Sequence, residues 1–112
     1  MTTIADKLQQ VQHRVAHACE RAGRDPASVL LLAVSKTFGP DAVLEAARAG
    51  QHAFGENYLQ EAVEKMAALR QMGAPTLQWH CIGPVQSNKT RLVAEHFDWM
   101  HTVDRLKVAQ RL

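Results

Sequence analysis

Apolar positions along this chain follow two alternating patterns. Ile4, Leu8, Val11, Val15, Ala18 and Ala22 recur at steps of three and four, which predicts an amphipathic helix. Thr3 with Asp6 gives that helix a capping-box start, and Gly23 gives it a stop. After the turn "RDPAS", Val29 to Ser35 runs without polar alternation and is rich in Val and Leu. Such a run suits a parallel strand covered on both faces. A buried helix is the alternative, but Pro26 and Gly39-Pro40 leave little room for one.

The alternation then repeats. Pro40 to Ala49 predicts a helix with Val43, Leu44 and Ala47 on one face and Gly50 as its stop. "HAFGEN" predicts a short strand. Asn57 to Met72 predicts a helix with Tyr58, Ala62, Met66 and Leu69 packed inward and Gly73 ending it. "LQWHCIG" reads as the next strand, "SNKTRLVAEH" as a helix with Leu92 and Val93 inward, and "FDWMHTV" as a fourth strand. Asp104 is placed to cap a last helix, "RLKVAQRL". Strand-helix alternation throughout implies crossover units, a parallel sheet and a single folding unit spanning residues 1–112.

Composition removes some function classes. The 112 residues carry 13 Lys+Arg against 11 Asp+Glu, a net charge of +2, with the basic residues scattered. That balance gives no footprint for nucleic acid. No apolar run approaches the ~20 residues that span a bilayer, and "MTTIADKLQQ" lacks the pattern of an export signal. Cys19 and Cys81 have no metal-type spacing, so two reduced thiols in a cytoplasmic protein are expected.

In parallel α/β folds, ligands gather at the carboxyl ends of the strands. That rule selects Lys36, Asn57, His80 and His101. A lysine at the edge of an apolar site is favoured in its neutral form, a nucleophile suited to an aldehyde. On position alone, a lysine snorkelling to solvent explains Lys36 more simply. Gly55 ahead of Glu56 and Asn57 allows close backbone approach to a ligand, while Asn57 equally suits a helix N-cap. His80 beside Trp79 can hydrogen-bond or stack on a ring, or be a satisfied half-buried histidine. "IGPVQSNK" is a weak match to an anion-binding loop at a helix start. His13 and His17, four apart, have metal-capable spacing but no acidic partner, which favours an exposed surface pair. His52 and His96 have no evident partners.

The motifs "LLAVSKT", "FGENYLQE", "WHCIGPVQSNK" and "RLVAEHFDWMHTVDRL" together resemble the pyridoxal phosphate homeostasis protein family over essentially the whole chain. The resemblance implies the TIM-type barrel of alanine racemase N-terminal domains, in the fold-type III group of proteins that bind pyridoxal 5'-phosphate (PLP). It implies that Lys36 of "VSK" holds PLP as a Schiff base, that Asn57 of "FGEN" lies near the cofactor ring, and that His80 lines the same mouth. "WHCIG" carries Cys81 where the family more usually has Phe, a change expected to affect strand packing only. The family looks like carriers or buffers of PLP rather than enzymes, with apo PLP-dependent enzymes as candidate recipients. A racemase-like enzyme and a non-catalytic interaction fragment are the rival readings. A racemase also needs an acid/base group on the other cofactor face and, usually, a second domain.

A (β/α)₈ barrel takes about 250 residues, and this chain supplies about four βα units after an N-terminal helix. The expectation is therefore the N-terminal half of a barrel, as a fragment of a longer product; a truncated chain that pairs with another half, or a small open sheet standing alone, are the alternatives. The resemblance assigns the phosphate-binding loops and the group facing the pyridine nitrogen to the other half.

Overall fold

The computed structural model describes residues 3–112; Met1 and Thr2, the start of the segment read against an export signal, lie outside the described residues. Helix α1 spans Ile4–Ala22. Its start is the expected capping box: Asp6 N–H donates to Thr3 Oγ1 at 3.1 Å, and Thr3 N–H donates to Asp6 Oδ2 at 3.2 Å. Its end is the expected glycine, with Gly23 at φ 70° and Arg24 N–H bonded to the Cys19 carbonyl at 2.8 Å. Ile4 and Leu8 pack on the core, but Val11, Ala18 and Ala22 are exposed, against expectation. The helix packs on the next helix, α2 (Pro40–Arg48), and on the turn at Pro26–Ser28, which cover it along Ile4, Leu8, Val15 and Cys19.

Strands β1 (Ala33–Val34), β2 (Ala53–Glu56), β3 (Gln78–Cys81) and β4 (Trp99–Met100) form one parallel sheet in the order 1-2-3-4. Helices α2 (Pro40–Arg48), α3 (Leu59–Gln71), α4 (Thr90–His96) and α5 (Leu106–Arg111) follow the strands in turn. Each strand pairs with the next in sequence, so there is no switch point of the doubly wound kind. This is the order of a barrel wall.

The two sheet faces are distinguished by alternation. Phe54 and Trp79 point into a core with Val43, Leu44, Ala46, Ala62, Met66 and Leu69 from α2 and α3. Cys81 packs with Val85 and Val93. On the opposite face, register aligns Val34, Gly55, His80 and Trp99 in one row across all four strands. Val34 is 50% exposed and Trp99 56%. The stretch Val29 to Ser35 is therefore corrected: the ladder covers only Ala33–Val34, and one face is open. A strand with a neighbour on one side and no layer over one face cannot be buried as its composition suggested.

Three local expectations also change. Helix α3 begins at Leu59 with Tyr58 as its N-cap residue, so Asn57 lies in the connection and caps nothing. Tyr58 is half exposed rather than core, because it precedes the helical stripe of Ala62, Met66 and Leu69. Arg105, not Asp104, precedes α5, and its guanidinium donates to the Val85 carbonyl at 3.2 Å. "SNKTRLVAEH" divides into a 3₁₀ turn at Ser87–Lys89 and the short α4.

Candidate functional site

The carboxyl ends of the strands bring the expected residues to one edge of the sheet. Lys36 sits in the turn directly after β1 and is half-buried. Its neighbours are firmly held. Ser35 is buried, and its hydroxyl donates to Glu56 Oε2. Thr37 has φ 69°, a left-handed conformation that β-branched residues strongly disfavour. Its N–H donates to Glu61 Oε1 at 3.0 Å.

Beneath this turn lies a buried ion pair. Lys65 Nζ donates to Glu56 Oε2 and to the Ser35 carbonyl, each at 2.8 Å, and lies 3.5 Å from Glu61 Oε1. The Lys65 and Glu56 side chains are 3% and 0% exposed. Charges so deeply buried persist only when paired and hydrogen-bonded. Sequence reasoning noticed Glu56 only as a neighbour of Asn57 and missed Lys65 and Glu61. The available signal was a lysine beside Ala62 and Met66 in the apolar stripe of α3, with Glu61 four residues before it.

Asn57 lies at the end of β2, against Gly83. A Cβ built on Gly83 would stand 2.6 Å from the Asn57 Cβ, so only glycine lets Asn57 occupy this place. Asn57 Oδ1 is buried and meets no donor among the described residues. Buried acceptors are normally satisfied, which makes this atom a candidate for a bound group.

His80 is buried, stacked parallel to Trp99 with ring centres 5.9 Å apart, and packed against His101 at 5.1 Å. Its Nε2 lies 2.8 Å from Gln78 Oε1, an acceptor that suits the Nε2–H tautomer. In that tautomer His80 Nδ1 accepts from His101 Nε2, 2.9 Å away. Desolvation, with His101 adding to it against the opposing charge of Asp98, lowers the His80 pKa from 6.5. Burial thus favours the neutral ring, which has a hydrogen-bond partner at each nitrogen.

The other candidates do not join this edge. His13, His17 and His52 are exposed, and no group of three or more metal-ligating side chains occurs among the described residues. No helix among them is long and apolar enough to cross a membrane.

The family model described as alanine racemase, N-terminal domain, matches residues 7–112. The pyridoxal phosphate homeostasis protein of Escherichia coli (strain K12) is 54% identical over all 112 residues, which make up 48% of that relative. The protein of the same name from Pseudomonas aeruginosa is 59% identical, with 47% of its length covered. Among solved structures, PipY of Synechococcus elongatus PCC7942 with PLP bound superposes with a TM-score of 0.78 at 42% identity, over 98% of this chain and 46% of that one. The chain thus spans about half the length of the curated relatives it matches. Its fold is α/β, half of a TIM-type barrel wall. The chain belongs to the alanine racemase N-terminal domain family and, within it, is similar to the pyridoxal phosphate homeostasis proteins.

Proposed function

We propose that this chain is the amino-terminal portion of a PLP-binding barrel that serves intracellular PLP homeostasis as a carrier or buffer. The observation that carries this reading is the placement of Lys36. Its amine is borne on a turn anchored on both sides, at the strand-end edge that also holds Asn57 and His80. Similarity to a structure solved with PLP bound supports it.

The residues fit the cofactor. PLP supplies, when bound, an aldehyde that takes up a primary amine. Lys36 would hold the cofactor through its primary amine, the nucleophile that such an aldehyde takes up. Asn57 offers a buried acceptor with no partner among the described residues, next to the bare backbone of Gly83. His80 offers its ring to the same mouth. The resemblance assigns the phosphate end to the other half of the barrel.

The same reading makes the chain a binder rather than an enzyme. Its proposed partners are PLP and the apo enzymes that receive it. Two buried free thiols, Cys19 and Cys81, suit the reducing cytoplasm in which we place it. The test is a titration with PLP at the protein's full natural length. Growth of visible absorbance in the wild type, absent in Lys36→Ala, supports the assignment. Equal growth in both refutes it.

A further inference from the structure

The turn that carries Lys36 is strained, and two side chains of α3 hold it. Thr37 is the one described non-glycine residue with a left-handed backbone, at φ 69°. A threonine leaves this region unless its surroundings over-determine it. Its N–H is met by Glu61 Oε1 at 3.0 Å, from the first turn of α3. The same oxygen lies 3.5 Å from Lys65 Nζ, and Lys65 donates to the Ser35 carbonyl at 2.8 Å. The peptide groups on both sides of Lys36 are therefore tied to α3, one through each of these two residues.

We propose that Glu61 is a positioning residue for the Lys36 amine. It clamps Thr37 in the left-handed conformation and so fixes the direction in which the Lys36 side chain leaves the turn. Lys65, anchored on buried Glu56, holds the clamp in place. This rests on the proposed role of Lys36. Glu61 itself touches no reacting atom. Its side chain is 40% exposed, so it can be replaced without opening the core.

Three variants at full natural length test the clamp: Glu61→Ala, Glu61→Gln, and Glu61→Ala combined with Thr37→Gly. Two readouts are taken: hydrogen exchange at the Thr37 amide without PLP, and the rate of PLP attachment at Lys36 after borohydride reduction and peptide mapping. Glu61→Ala is expected to speed Thr37 exchange and to slow attachment by about tenfold. Glu61→Gln keeps an acceptor and stays near wild type. Thr37→Gly takes positive φ freely and recovers most of the lost rate in the Glu61→Ala background. A purely structural role for Glu61 gives no such rescue. Unchanged attachment in Glu61→Ala, with normal wild-type labelling, overturns the clamp alone. Absent wild-type labelling at Lys36 overturns the proposed function and, with it, the positioning role.

Discussion

Lys65 Nζ stands 2.8 Å from Glu56 Oε2 with both side chains almost fully enclosed, and this pair ties β2 and α3 to the end of β1. Glu56 ends β2, Lys65 lies on α3, and both reach Ser35 at the end of β1. An ion pair in this setting gives little net stability, but losing one partner strands a buried charge. Lys65→Met is therefore expected to cost about 3–5 kcal/mol in denaturant unfolding. Adding Glu56→Gln, which removes the stranded charge, should recover part of that loss. Equal stability of Lys65→Met and wild type would remove this pair from the structural framework.

Gly83 leaves no room for a side chain. The added methyl of Gly83→Ala would meet Asn57 Cβ at 2.6 Å, and either the strand end or Asn57 must move. The expected cost is about 1–3 kcal/mol, with weaker PLP binding because the free Asn57 acceptor shifts. A thermal melt and a PLP titration of Gly83→Ala check this. Asn57→Ala in the same background should then weaken PLP binding little further.

The sign of the His80 shift sets a pH dependence. Its folded pKa lies below the value of 6.5, so the unfolded chain binds the proton more readily. Stability from the neutral ring is fully present above the unfolded pKa. It declines as pH falls below about 6.5 and levels off below the folded pKa. Urea unfolding between pH 7.5 and 5, in steps of about half a unit, should show this decline. His80→Gln should flatten it.

Open apolar surface has its own consequence. Leu30 is 64% exposed, and Val34 and Trp99 are half exposed on the open sheet face. Exposed edges and apolar patches drive association. Produced as these 112 residues alone, the chain is expected to self-associate in light scattering. A stable monomer at high concentration would show that the open face tolerates water.

Local features were legible from the residues themselves. The Thr3–Asp6 cap, the Gly23 stop and the start of α2 at Pro40 depend on a few neighbouring side chains, and all appear where read. The parallel sheet was legible from alternation. The extent of β1 was not, because a strand's length depends on its ladder partner: Val29 to Leu32 have the composition of a strand but lie outside the ladder. The Glu56–Lys65 pair was hidden for a similar reason, since its meaning depends on Ser35, thirty residues from Lys65 along the chain. Likewise, the left-handed turn at Thr37 needs Glu61, and no residue near Thr37 announces it. Position alone explains Lys36 as a snorkelling lysine; the assembled motifs, not the strand pattern, single it out for the proposed role.

Borohydride reduction of the PLP-treated protein at its full natural length, followed by mass mapping of its peptides, tests the central claim most directly. One modified peptide carrying the label on Lys36, lost in Lys36→Ala, is the expected result. Label on another lysine while Lys36 stays free, or no label at saturating PLP, would contradict it.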